Sequence, residues 1–132
     1  MTVVPGTFAN FVAGAQAVVT TAETVVATTK AISSPYPGAI FAVEFGIDFL
    51  TGAGTTGVIW RIRQGSLTGT AVLTTPTIAA AASTQLPRAY LATVDGSQAE
   101  VASAVYVLTV APVAATGNGS ATNAFSRVTQ TG

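Results

Sequence analysis

The chain has 132 residues, five basic and five acidic side chains, and no cysteine or histidine. Charged residues make up 8%, against about 25% in an average soluble domain, and no Lys/Arg cluster supplies the basic footprint that nucleic-acid binding needs. Without His or Cys there is no Ser-His-Asp triad, no cysteine nucleophile and no ordinary zinc or haem ligation.

Length alone points to one domain. A chain of this size buries enough surface to fold without a metal or a disulfide. Its exterior must be mostly Thr, Ser, Ala, Gly, Gln and Asn, as suits a protein whose surface is largely covered by neighbours. Met1 is not followed by a basic segment, and the apolar run FVAGAQAVV is broken by Gly14 and Gln16, so no secretion signal is expected. No apolar run reaches the roughly 18 residues of a membrane span.

Residues Met1 to Ala15 do not alternate. Pro5, Gly6, Asn10 and Gly14 interrupt a stretch made apolar by Val3, Val4, Phe8, Phe11 and Val12. An apolar, irregular terminus packs under the domain or along a neighbouring subunit. We expect residues 1–15 to form an extended N-terminal arm and residues 16–132 the folded domain. From Ala17 to Ile32 the Val/Thr-rich run AVVTTAETVVATTKAI favours strand, as one bent strand or two with a break near Ala22-Glu23. A rigid turn, Ser33 to Gly38, follows; its Tyr36, flanked by prolines, is the most exposed aromatic candidate.

The stretch Ala39 to Ser66 organises the chain. Phe41, Val43, Phe45, Ile47 and Phe49 alternate with Ala42, Glu44, Gly46, Asp48 and Leu50; Val58, Trp60 and Ile62 alternate with Ile59, Arg61 and Arg63. Each half reads as a strand with one apolar and one polar face. The short Gly/Thr link between them suggests a hairpin. A turn centred between Ala53 and Gly54 sets Phe45 against Ile62, Ile47 against Trp60 and Phe49 against Val58, with Glu44 facing Arg63 and Arg61 diagonal to Asp48.

Thr70 to Thr75 reads as a short strand ended by Pro76. Thr77 to Ser83 reads as an extended connection with room for one helical turn. Thr84 to Val94 is a strand, and Pro87 within it points to an edge or a bulge. Asp95-Gly96-Ser97 is a turn and Gln98 to Ala102 a loop. Ser103 to Val113 reads as a central strand, Thr116 to Ser120 as a tight turn and Ala121 to Gln130 as the closing strand. The sum is all-β: an antiparallel β-sandwich of about eight strands, jelly-roll-like, with an immunoglobulin-like sandwich as the second choice.

Chemistry-bearing groups are few. Glu44 and Asp48 share one strand face and read as partners in an ion-pair cluster rather than a glycosidase pair. Asp95 and Glu100 flank a loop without a ligand-dense calcium pattern. Lys30 reads as a solvated strand-end charge. Gly117-Asn118-Gly119-Ser120 lacks the Lys and the strand–helix setting of a phosphate loop. Trp60 belongs to the Phe face and hence to the core. We expect no catalytic, cofactor or metal site and no enzyme activity.

The segments TTAETVVATT, the Pro-Gly turn, GTTGVIWRIRQG and EVASAVYVLTV together resemble small jelly-roll proteins of tailed-phage structural gene clusters, over about Val18 to Val110. That resemblance implies a virion role, made in the host cytoplasm and carried on the capsid surface: a decoration (cement) protein bound to the major capsid protein, or a fibre or spike component. It implies a homo-oligomer, a trimer in the first instance, and no catalytic residues, while the composition leads us to expect no nucleic-acid or membrane partner. The expected partner-binding residues are Val3, Val4, Phe8, Phe11, Val12 and Tyr36. The alternative is a carbohydrate- or receptor-binding β-sandwich module.

Overall fold

The computed structural model describes residues 9–13, 17–31, 39–95 and 105–132, with side chains described in all of these except 9–13 and 95. Among the described residues ten strands follow one another: β1 (Ala9–Ala13), β2 (Ala17–Val19), β3 (Thr24–Thr28), β4 (Ile40–Leu50), β5 (Gly57–Gln64), β6 (Ala71–Thr74), β7 (Ile78–Ala79), β8 (Gln85–Asp95), β9 (Tyr106–Val113) and β10 (Gly119–Gln130). All pairings are antiparallel. One sheet has the order β1-β10-β4-β8, with β2 also on β10; the other has β3-β9-β5-β6, with β7 also on β5.

The order has a simple origin. Counting β1 with β2 and β6 with β7 as two interrupted strands leaves eight positions. The first pairs with the last, the second with the seventh, the third with the sixth and the fourth with the fifth. The chain is thus one long antiparallel ribbon, folded back at Ser66–Gly69 and rolled into two facing sheets. That is the jelly roll. At the fold-back, Gln64 N–H donates to Thr70 O at 2.9 Å and Gly69 N–H to Ser66 O at 2.9 Å. A Cβ on Gly69 would stand 1.6 Å from Gln64 O, so the ribbon closes this tightly only with glycine there.

Strand positions follow the sequence reading closely. The Val/Thr-rich run does break, between β2 and β3. Pro87 does lie on an edge strand, β8. The run ending at Val113 is central, between β3 and β5. The closing strand turns inward Ala124, Ser126, Val128 and Gln130. The expected 15/16 boundary between arm and domain falls outside the described residues, but Ala9–Ala13 pairs along its whole length with β10.

The expected hairpin does not form. β4 and β5 lie in different sheets. Their link is bound to other loops: Thr51 N–H donates to Thr84 O at 3.0 Å, Thr51 Oγ1 to Ala81 O at 2.6 Å and Thr116 N–H to Ala53 O at 2.8 Å. The link is an arch between sheets. Alternation fixes which side chains point inward, and both arrangements bury the same ones; it does not say whether the two ridges lie side by side or face to face. They lie face to face. Phe49 meets Trp60 edge-on, with ring centroids 5.7 Å apart and planes at 88°.

Around that contact Phe41, Val43, Phe45, Val58, Ile62, Leu108, Val110 and Val128 are fully or almost fully buried. Each such side chain contributes on the order of 1.5–3 kcal/mol relative to exposure. Trp60 is completely buried, as its place in the alternation required. Ser126 Oγ donates to Thr28 O at 3.0 Å, tying one sheet to the other with its polar group satisfied.

On the outer face of β4, Gly46 lies beneath the Phe125 ring, and a Cβ there would stand 2.0 Å from a ring carbon. Gly46→Ala should therefore displace the ring and destabilise the fold by roughly 1–3 kcal/mol. Most of that loss should vanish in a Phe125→Ala background, as a urea-unfolding double-mutant cycle would show; equal losses in both backgrounds would refute the contact.

Candidate functional site

Each sheet presents one face to the core and one outward. On the first sheet the outward residues of β4 are Ile40, Ala42, Glu44, Gly46, Asp48 and Leu50. Backbone register sets Arg127 of β10 opposite Glu44 on one side and Leu91 of β8 on the other. Arg127 donates to Glu44 at 2.8 and 3.0 Å, and Asn123 Nδ2 donates to Asp48 Oδ2 at 3.1 Å. These contacts are exposed, so each stabilises by about 1 kcal/mol at most. Arg127 neutralises Glu44, whereas Asp48 keeps its charge and is held by a neutral amide.

Asn123 reaches Asp48 because β10 is irregular there. Register shifts between Thr122 and Phe125, and Asn123 takes a left-handed φ of 51°. A bulge re-aims a side chain in this way, and Asn tolerates the conformation better than most residues. The bulge, Gly46 and the end of β8 frame an open groove of about 380 Å³ whose lining includes Gly46, Asp48, Pro87, Arg88, Asn123 and Phe125.

Among the Thr and Ser side chains of β8 and β10, this face also exposes aliphatic ones. Ile40 is 40% exposed, Leu50 38%, Leu91 53% and Val18 63%. Ser120 pairs with both Val18 and Leu50, so those two flank it on one end of the face.

The second sheet carries the stronger electrostatic unit. Arg61 and Arg63, two residues apart on β5, point the same way, and Glu23 from the β2–β3 connection closes on both. Arg63 Nε lies 2.6 Å from Glu23 Oε2, Arg61 Nη1 contacts Oε1, and Arg63 Nη1 also donates to Gly69 O at 2.9 Å. Hydrogen bonding from Arg63, aided by both guanidinium charges, holds the Glu23 carboxyl below the usual carboxylate range against the opposing effect of burial. The same hydrogen bond raises Arg63. Burial pushes the Tyr90 phenol up, where its ring lies tilted against Trp60 at 5.7 Å.

The sequence-level pairs therefore need correction. Glu44 meets Arg127, not Arg63; Asp48 meets Asn123, not Arg61; both arginines share Glu23. The cause is again the arch, which separates β4 from β5. Glu23 was missed as their partner. The available signal was two arginines at i and i+2 on one strand face, which need a counter-charge from a chain with only five acids.

Of the expected partner-binding residues, Val3, Val4, Phe8 and Tyr36 lie outside the described residues. Phe11 and Val12 sit on β1, opposite Arg127 and Ser126 in backbone register; their side chains are outside the described set. Glu100 is also outside it. Lys30 is exposed just beyond β3. Among the described residues no three His, Cys, Asp or Glu side chains cluster as metal ligands, and no helix is long and apolar enough to cross a membrane.

No family model and no curated protein sequence matches the chain. Solved structures match in fold. Against a structure of infectious bursal disease virus, strain Gx, the TM-score is 0.62 at 15% identity over 95% of this chain and 33% of the other. Against T=1 particles derived from the same virus it is 0.63 at 13% identity, over 95% and 32%. A VP2 subviral particle of that virus gives 0.58 at 12% identity, over 95% and 33%. The chain spans about a third of the length of each, and at such identity the likeness is one of fold.

The Glu23 clamp has a definite pH sign. A carboxyl lowered by folding contributes stability that is fully present above its ordinary value of 4.5 and is lost as pH falls through its folded value. Glu23→Gln should cost roughly 1–2 kcal/mol at pH 7, between the limits for exposed and buried pairs. It should also flatten the stability loss below pH 4.5 relative to the parent. Urea midpoints from pH 7 to 3 check this, and parallel curves for parent and variant would count against the clamp.

Proposed function

We propose that this chain is a virion structural protein that decorates a phage capsid, binding the major capsid protein on the outer surface of the head and stabilising it, with no catalytic role. The observation that carries the reading is the outer face of the first sheet. Glu44 closes on Arg127, Asp48 is held by the Asn123 amide, and Ile40, Leu50, Leu91 and Val18 stand exposed around them. Such a face gains by covering apolar area and contributes little long-range steering. The fold shared with virus-particle structures and the resemblance in TTAETVVATT and GTTGVIWRIRQG are consistent with it. Self-association belongs to the same reading, because the same low charge that suits capsid contact suits contact between copies. The apolar terminus 1–8 would add a second point of attachment.

A second reading has its own observation. The groove at Gly46 combines a carboxylate, a side-chain amide and an aromatic wall, the elements of a small saccharide site on a fibre or spike module.

The two separate cleanly. Co-sedimentation with capsids lacking decoration should recover the parent chain. A Val18→Lys, Leu50→Lys variant, altered only at exposed positions, should lose most of that binding while unfolding like the parent. Removal of residues 1–8 should weaken binding and leave the β1–β10 pairing in place. Undiminished capsid binding by the lysine variant would remove the docking face from the proposal. Glycan-array binding abolished by Asp48→Ala would establish the saccharide reading in its place.

A further inference from the structure

A jelly roll has two sheets and therefore four edges, and here they are unequal. The β1/β2 edge is divided into two short strands on β10. The β3 edge has five residues and a register shift between Val25 and Ala27. The β6/β7 edge consists of four and two residues, with Pro76 between them and a shift at Ile62/Arg63. Each is broken in a way that blunts edge-to-edge pairing. The fourth, β8, runs for 11 residues and matches β4 from Ile40 to Leu50 without a shift. Among the described residues nothing pairs with its far side. Its middle, Ala89 to Val94, has no charge to repel another strand.

Pro87 shows which way this edge points. A proline within a strand sits where its missing N–H faces away from the ladder. Backbone groups alternate in direction along a strand, so Ala89, Leu91 and Thr93 share the direction of Pro87. Their N–H and C=O groups face the open edge. Their side chains are the exposed ones, on the outer face with Leu91 at 53%.

We propose that β8 pairs antiparallel with β8 of a second copy of this chain, about a two-fold axis at Leu91, joining the two first sheets into one continuous sheet. A two-fold perpendicular to the sheet keeps outward residues opposite outward residues, so the register must match odd positions with odd. Centring on Leu91 sets it against its own mate and sets Ala89 against Thr93 of the partner subunit, and the reverse. About six backbone hydrogen bonds form, two at each of the three pairs. The two exposed Leu91 side chains pack against each other, Arg88 faces an apolar position, and no like charges are opposed. A second copy is the occupant because the strand is complementary to itself in this register.

The inference deepens the self-association part of the reading above. An isologous contact of this kind closes at two copies, in place of the trimer that the resemblance implied. Solution mass tests it without capsids and capsid co-sedimentation tests the other reading without the dimer, so either fails alone.

The chain has no cysteine, which allows a register-specific test on the full protein. In a hydrogen-bonded pair the two Leu91 Cα atoms lie about 5.5 Å apart, inside the range a disulfide spans. The two Thr93 Cα atoms, offset by four positions along neighbouring strands, lie roughly 14 Å apart. Under mild oxidation the Leu91→Cys variant should give a covalent dimer and the Thr93→Cys variant should not. Native mass spectrometry of the parent should show two copies, and Leu91→Lys should weaken that association about tenfold or more while keeping the parent far-UV spectrum. A parent mass of one or three chains, a folded Leu91→Cys variant that does not cross-link, or equal cross-linking at Thr93 would overturn the proposal.

Discussion

The structure depends on two apolar ridges meeting face to face. The Phe-rich side of β4 and the Trp-bearing side of β5 are both strongly apolar, and each needs a cover that the other supplies. Once they oppose each other across the sandwich, β4 and β5 must belong to different sheets. Each then recruits its own neighbours: β10 and β8 beside β4, β9 and β6 beside β5. The link between the ridges has to leave one sheet and enter the other, and an arch of that kind exposes backbone groups that a hairpin would pair internally. Thr51 and Thr55 satisfy part of that demand with their hydroxyls, and the 80–84 and 113–117 loops supply most of the rest.

With the interior settled by apolar contact, the few charges are free to act elsewhere, and they do so locally. Glu23 closes the two arginines of β5 and thereby fixes the β2–β3 connection against the second sheet. Glu44 and Arg127 close on each other across β4 and β10. Asp48 is met by the amide that the β10 bulge delivers. The exterior is then carried by Thr, Ala and a handful of exposed aliphatic side chains. Such a surface has little long-range field, so contact with a partner depends on shape and apolar area rather than on attraction at a distance.

The strands, their inward faces, the edge position of Pro87 and the break at Ala22-Glu23 were legible because each rests on local chemistry: side-chain alternation, β-branching, a missing N–H. The hairpin was not, because Phe49 beside Val58 and Phe49 across from Trp60 satisfy the same alternation. What decides between them is the competition of ten strands for neighbours, which no window of sequence contains. The ion pairs failed with it, since Glu44–Arg63 was a consequence of the hairpin register. The groove was invisible for a related reason. Gly46 and Phe125 are 79 positions apart, and the bulge that turns Asn123 toward Asp48 leaves only a weak trace in the sequence around it. The expected docking residues of the terminus and Tyr36 were read from exposure and apolarity, properties that name a surface without saying what meets it.

The outer face and the β8 edge are coupled by the pleat. Along β8 one set of alternate residues carries both the exposed side chains and, by the position of Pro87, the outward backbone groups. A chain that kept this strand from pairing would place a lysine or a second proline among Ala89, Leu91 and Thr93, as blunted edges elsewhere do. Here those positions are Ala, Leu and Thr. A neutral, regular edge is a hazard for a dispersed monomer at high concentration and an asset in an assembly, because the features that would drive indiscriminate pairing are consumed once the edge is filled. Low charge and the unbroken edge therefore point the same way. Both reduce the barrier to close contact, and both leave the discrimination between partners to register and shape.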